Sequence, residues 1–328
     1  MRCISRAKSA ALVCVASISL FTGGCIGGKG ATPVTAYELK NYNQDLYQGK
    51  LYAEELCVAQ NDVALEGYTE DTELHSAALF DLTGERVLYS YKAHERLYPA
   101  STTKIMTALL AIENAHLDDQ VTISGNADAS SFPADAQVCG LAKGEVWTLR
   151  DLLGALLLYS GNDAATAIAE YVGGSEEAFV NMMNRRAQEL MANGTHFMNP
   201  HGLHDDNHYT TAYDLYLIFN ECIKHEDFVN IIQSEAYTAY YTDVDGNSQE
   251  ALFTPTNLYA QGEVDVPENV TIVGGKTGTT DEAGYCLILM EKDSSDNPYI
   301  SIVMGASEKP VLYEDMTSLI EAIPSGQQ

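Results

Sequence analysis

A chain of 328 residues, 46% hydrophobic and 20% charged, carries enough apolar side chains for a real core and is not disordered. Its net charge of −28 excludes nucleic acid as a natural partner, because phosphate binding needs a basic face. The acidity reads as a soluble, self-repelling surface.

The first residues read as a leader. Arg2, Arg6 and Lys8 make a positive start, AALVCVASISLFT follows as an apolar stretch, and Gly23-Gly24-Cys25 closes it. This is an export signal, too short for a comfortable membrane span. Its ending, TGGC, resembles a bacterial lipobox, although Thr22 stands where a leucine-like residue is usual. The resemblance implies a signal peptide over 1–24, lipidation of Cys25, and a place at the outer face of the cytoplasmic membrane. Residues 25–50 are Gly-rich, then Tyr-rich, and read as a tether. One folded domain is expected over 51–328.

HSAALFDL (75–82) and RVLYSYK (86–92) flank a Thr83-Gly84 turn, which predicts a β-hairpin. YPASTTKIMTALLAI predicts a helix from Ser101 to about Asn114. Residues 148–220 read as mostly helical. TLRD (148–151) has the look of a capping box, and NDAATAIAEYV begins with residues that favour an N-cap. GSEEAFVNMMNRRAQELM and TAYDLYLIFNECI continue the block. From about Ala236 the pattern turns to strands: EAYTAYYTDVDGN, TIVGGKTGTT, AGYCLILMEKD and YISIVMGAS, with VLYEDMTSLIEAI closing as a helix. Strands, a helical block, strands and a terminal helix predict an α+β fold. It is an antiparallel sheet flanked by helices, its N-terminal hairpin rejoining the late strands, with a helical subdomain inserted at about 125–235.

Seven cysteines lie at 3, 14, 25, 57, 139, 222 and 286, without CxxC spacing, so neither a zinc nor a redox motif is indicated. The last four allow three complete pairings, between which the sequence does not choose. His196, His201, His204 and His208, with Asp205 and Asp206, have ligand-like chemistry. They lack HExxH spacing and sit in a loop, so a structural role is expected, with no metal and no cofactor. Trp147 and Cys286 are expected to pack.

Three short elements carry the chemistry: Ser101-Thr102-Thr103-Lys104, Ser160-Gly161-Asn162 and Lys276-Thr277-Gly278. Each is weak alone; the ordered trio, on helix, loop and strand, is strong. Residues i and i+3 share a helix face, so Ser101 and Lys104 can meet. A serine hydroxyl needs a base, and a desolvated lysine near a second cation, here Lys276, loses its proton readily enough to be one. The glycines of GGKTG permit a peptide to pair along the strand. The backbone N–H groups of Ser101 and Thr279 are expected to form an oxyanion hole.

From roughly Leu74 to Ile323 the chain resembles the low-molecular-mass penicillin-binding proteins, the serine-type D-Ala-D-Ala carboxypeptidases. YPASTTKIMTALL, LLLYSGNDAATAIAEYVGG, THFMNPHGLH and GGKTGTTDEAGYCL all carry that likeness. The resemblance implies a β-lactamase/transpeptidase-like fold and acyl-enzyme chemistry on peptidoglycan stem peptides, with β-lactam antibiotics as covalent mimics. It makes Ser101 the nucleophile and Lys104 its base. Ser160 and Asn162 become the proton-relay and positioning pair. Lys276 and Thr277, with Gly278 and Thr279, hold the substrate and its carboxylate.

Two departures stand out. Many relatives continue into a second β-rich domain and a C-terminal membrane helix; here the sequence stops at Gln328, so the anchor is expected at Cys25. Many also carry an arginine before the last helix, where this chain reads PVLYED, which leaves carboxylate binding to Lys276, Thr277 and backbone. Glu177 and Asn181 mimic an ExxLN spacing used by some β-lactamases, but on an amphipathic helix they read as a solvated face. Rival outcomes on the same fold are a D,D-endopeptidase, a transpeptidase or a weak serine β-lactamase. A non-enzymatic wall-binding lipoprotein fits the complete motifs less well.

Overall fold

Strand β1 (Ser76–Asp81) is buried along its whole length and runs antiparallel to β2 (Arg86–Tyr91). Asp81 fastens the turn between them: its carboxylate accepts the Gly84 N–H at 2.8 Å and an Arg86 N–H at 2.6 Å. A 3-10 turn, Ala100–Thr103, leads into helix α1 (Lys104–Asn114). Two short strands, β3 (Gln120–Thr122) and β4 (Val146–Thr148), precede a run of helices. These are α2 (Leu149–Gly154), a wider π-type turn over Ala155–Tyr159, α3 (Asn162–Gly173), α4 (Glu176–Glu189), α5 (Ala212–Cys222) and α6 (Glu226–Ile232). There follow β5 (Tyr237–Thr242), β6 (Ser248–Phe253), a single turn α7 (Leu258–Gln261), β7 (Val270–Thr280), β8 (Gly284–Asp293), β9 (Pro298–Ala306) and α8 (Lys309–Glu321). This computed structural model describes residues 55–59, 61–65 and 76–324; the expected leader and tether, Cys25 among them, lie outside the described residues.

The main sheet has the order β2-β1-β9-β8-β7, antiparallel throughout, so the N-terminal hairpin does rejoin the late strands. Its strands read as near-continuous apolar runs because both faces are covered. Alternate residues take opposite sides. Ala78, Phe80, Ile288, Ile300 and Ile302 share a core with Ile105, Leu109 and Phe219 of α1 and α5. Ala77, Leu79, Leu287, Leu289 and Val303 share another with Leu312, Met316 and Ile320 of α8. Phe80 stacks on Tyr216 with ring centroids 4.0 Å apart, a contact worth about 1 kcal/mol beyond its buried area.

Two sequence expectations need revision. The 236–253 strands do not join the main sheet; they pair with β3 and β4 in a second sheet, β3-β4-β5-β6. Their polar alternation leaves one face wet, with Tyr240 and Leu252 exposed, which a central strand of a doubly covered sheet does not tolerate. Trp147 packs here, stacked on Tyr241 at 4.2 Å. The second revision concerns Asn162 and Asp163, which do not cap α3. Gly161 holds the N-cap position; the Asn162 side chain reaches Lys104, and the Asp163 carboxylate takes one N–H of the first turn, from Ala164, but otherwise bonds to residues 139–141. Thr148, by contrast, does cap α2, accepting the Asp151 N–H at 3.1 Å. Cys57, Cys139, Cys222 and Cys286 are all free thiols.

Between the main sheet and α8 lies a buried carboxyl, Glu291. Ser301 Oγ bonds to its Oε1, and its Oε2 has no hydrogen-bond partner among the described residues. Burial pushes this acid up to about 8. The folded state therefore keeps a proton that the unfolded chain releases near its ordinary value of 4.5, so this group costs stability progressively as pH rises from 4.5 to 8. Glu291→Gln should flatten that dependence. Melting temperatures across this range should fall less steeply in the variant than in the parent, with the largest gain at the alkaline end; parallel curves would show that Glu291 is not the titrating group.

Candidate active site

The turn that carries Ser101 is held in an unusual shape. Ala100 has φ 45°, a left-handed conformation that costs a side-chain-bearing residue roughly 1–2 kcal/mol. Two glycines press on the turn. A Cβ on Gly202 would fall 1.8 Å from Ala100 O, and one on Gly278 would fall 2.9 Å from Pro99 O and 3.1 Å from Ser101 N. The NPHGL loop and strand β7 thus close on the serine turn from different parts of the chain, and only a bare backbone fits at both contacts.

Lys104 begins α1 and is completely buried. Its Nζ lies 2.8 Å from Ser101 Oγ, 2.7 Å from Asn162 Oδ1 and 2.6 Å from His201 O. Burial first, and the neighbouring Lys276 charge second, hold this amine well below the usual lysine range. A neutral amine has two N–H groups and one lone pair. Two of the three partners are carbonyl oxygens, which only accept, so they take the two N–H groups and leave the lone pair facing the Ser101 hydroxyl. That arrangement suits a base.

Ser160 ends the π-type turn in a left-handed conformation, φ 70°, which throws its side chain back toward β7. Its Oγ accepts from Lys276 Nζ at 2.9 Å; Lys276 also donates to Thr277 O at 2.9 Å. Lys276 is fully buried, and burial brings it down to about 7. Thr277 Oγ1 meets Thr256 Oγ1 at 2.6 Å. Ser101, Ser160, Asn162, Thr277, Gly278 and Thr279 line one open cleft of about 750 Å³, with Lys104 and Lys276 buried alongside it. The three motifs are therefore brought together, and their side chains interlock: Ser101–Lys104–Asn162 and Ser160–Lys276.

The histidine-rich loop supports this arrangement from behind. His201 contributes its carbonyl to Lys104. His208 Nε2 meets Thr103 Oγ1 at 2.9 Å, and its Nδ1 accepts the Met198 N–H at 3.3 Å. Burial drives His201 down to about 3 and His208 to about 4, so both rings are neutral. His204 lies on the cleft wall between Asp206, 3.3 Å away, and Glu282, 3.9 Å away. Glu177 and Asn181 are exposed on α4. Elsewhere, Glu113, Glu221 and His225 lie close enough to share an ion, but Arg186 already reaches both glutamates at 2.6 and 3.3 Å.

The model of the D-alanyl-D-alanine carboxypeptidase family, peptidase family S11, matches residues 64–308. The chain belongs to this family. It is 34% identical to D-alanyl-D-alanine carboxypeptidase DacF of Bacillus subtilis over 76% of its length, and it covers 61% of that relative. It is 32% identical to D-alanyl-D-alanine carboxypeptidase of Streptomyces sp. strain K15, over 71% of this chain and 81% of the relative. The crystal structure of the Streptomyces K15 DD-transpeptidase superposes with a TM-score of 0.71 at 28% identity, covering 78% of this chain and 98% of that one. The chain spans about three fifths of the DacF relative and of DacC from Escherichia coli.

Three residues in or around the cleft were not singled out by the motifs. Asp163 looked like a helix cap and is instead fully buried behind the cleft. His201 acts through its carbonyl, which leaves no mark in side-chain chemistry. Lys309, the first residue of α8, is exposed and is the one lysine or arginine among the described residues that line the cleft. It directly precedes the arginine-free PVLYED stretch.

Proposed function

We propose that the protein is a serine D,D-carboxypeptidase that removes the terminal D-Ala from peptidoglycan stem pentapeptides through an acyl-enzyme. The observation that carries this reading is the single amine of Lys104 bonded at once to the Ser101 hydroxyl, Asn162 and a backbone carbonyl in a family member. Ser101 Oγ attacks the carbonyl between the two D-Ala residues while Lys104 Nζ takes its proton. The backbone N–H groups of Ser101 and Thr279 receive the developing oxyanion. The terminal D-Ala amine leaves with a proton returned through Lys104 or Ser160, and water then cleaves the ester. Lys276 and Thr277 orient the terminal carboxylate. β-Lactams enter the same cleft and stop at the acyl-enzyme. The exposed position of Glu177 gives no second carboxylate to hasten deacylation, which argues against a β-lactamase.

A labelled penicillin should add to Ser101, located by peptide mass mapping, and the protein should release D-Ala from a diacylated pentapeptide. Ser101→Ala should abolish both. An unmodified Ser101, or no D-Ala release, would remove this reading. The neighbour named a DD-transpeptidase raises a second outcome on the same acyl-enzyme: with an acceptor amine present, transfer product in place of free acid would reassign the chain to transpeptidation.

Lys309 supports carboxylate binding from the open side of the cleft. Lys309→Gln should lower kcat/KM about tenfold for a peptide ending in a free carboxylate and leave the C-terminal amide nearly unaffected. Equal losses on both substrates would deny it this part.

The N-terminal reading extends to location: a lipid on Cys25 holds the domain outside the cytoplasmic membrane. Its basis is the TGGC ending after an apolar run. Cys25→Ala should move the expressed protein from the membrane pellet to the soluble or unprocessed fraction; an unchanged distribution of mature protein would rule the lipid out.

A further inference from the structure

Asp163 is the second residue of α3 and has no exposed surface. Its carboxylate gathers backbone N–H groups from a separate segment. Oδ1 accepts from Cys139 at 2.9 Å, and Oδ2 accepts from Gly140 at 2.9 Å and Leu141 at 3.1 Å. Oδ1 also accepts from Ala164 at 2.9 Å. Fixed backbone donors and the N-terminus of a helix are what a buried carboxylate needs when no cation is paired with it.

The same segment is stitched to the Ser160-Gly161-Asn162 loop at two more points. Asn162 N–H donates to Gln137 O at 2.8 Å. Cys139 Sγ occupies the space beside Gly161, where an added Cβ would lie 2.2 Å from the sulfur and 2.8 Å from Asp163 Oδ1. This accounts for glycine in the middle of the second motif. The segment so held continues back through Gln137, Ala136, Asp135 and Pro133, which form one wall of the cleft. On its other side Asn162 holds Lys104.

Asp163 also bears on Lys104 electrostatically. Burial first and Lys276 second disfavour the proton on this amine, and of the nearby acidic groups, Cys139 and then Asp163, only the Asp163 carboxylate brings a charge that favours it, because burial keeps the Cys139 thiol protonated. His201 and His208 lie beside it as neutral rings. A fixed anion behind a buried amine opposes both burial and the second lysine.

We propose that Asp163 is a positioning residue for the reaction: it clamps the 137–141 segment, and with it one wall of the cleft, onto the Ser160-Gly161-Asn162 loop that holds Lys104. This rests on the carboxypeptidase reading for its kinetic consequences, while the clamp itself stands on the hydrogen bonds. The clamp explains how a loop with little secondary structure forms a defined wall.

The test uses the full chain. In Asp163→Asn the limb of the acylation profile at which Lys104 loses its proton should move to lower pH, because removing an anion favours the neutral amine. KM for the D-Ala-D-Ala peptide should rise about tenfold as the wall loosens. A folded Asp163→Asn protein with an unmoved limb would overturn the electrostatic part, since a merely structural residue changes amplitude without shifting the profile in that direction. For the clamp, Gly161→Ala should lower both the melting temperature and the acylation rate. Adding Cys139→Ala in the same chain should restore part of both losses, the remainder coming from Asp163 Oδ1, 2.8 Å from the added Cβ. Additive losses in that double-mutant cycle would overturn the clamp. If the parent protein neither acylates nor releases D-Ala, the functional reading fails instead, and the melting-temperature cycle still decides the clamp.

Discussion

A lysine amine placed where water cannot reach is the constraint around which this protein is arranged. An ammonium at that position would cost several kcal/mol to desolvate, and burial accordingly holds the Lys104 amine well below the usual lysine range, toward its neutral form. That solution works only if the neutral amine is held in one orientation. Asn162 Oδ1 and His201 O do so, one from the start of α3 and the other from the loop before α5. The Ser101 hydroxyl then takes the remaining direction. In the proposed reaction the activation of Ser101 is thus a consequence of burial and of two carbonyl groups, and the serine itself is chemically ordinary.

The fold makes that burial affordable by surrounding one short helix with elements remote in sequence. Helix α1 lies between the sheet and the helical layer, with Ile105, Leu109 and Ala108 fully enclosed. Strand β7 supplies Lys276 and the bare backbone of Gly278; the NPHGL loop supplies Gly202. Local backbone strain at Ala100 and Ser160 is tolerated because these neighbours over-determine both positions. Strain of this kind, beside one serine of the cleft and at the other, belongs to a site built for geometry ahead of stability.

The polar groups of the interior follow one rule: each is either joined to fixed partners or made neutral. His201 and His208 are neutral rings wired to the backbone and to Thr103. Asp163 keeps its place among four backbone N–H groups. Lys276 sits between Ser160 and Thr277 and is lowered by burial. Charge is left to the open side of the cleft, where Asp135, Asp281, Glu282 and Lys309 meet solvent. The cleft therefore presents charge at its mouth and directional hydrogen bonds at its floor.

The sequence by itself determined the order of the elements, the doubly covered sheet and the residues of the three motifs. Periodicity, turn residues and the i, i+3 spacing of Ser101 and Lys104 are local properties that neighbouring residues set. It also carried the histidine cluster, and there the absence of ligand spacing pointed to structure. Tertiary packing decided the rest. Whether β5 and β6 enter the main sheet depends on which faces other elements cover. Asp163 reads as a cap in isolation and becomes a clamp only because residues 139–141 present their N–H groups to it. Lys309 looks like a surface lysine until α8 brings it to the cleft. Spacing along a helix or strand is written in the chain, whereas a contact between residues a hundred positions apart depends on backbone groups and burial, which residue identity alone does not encode.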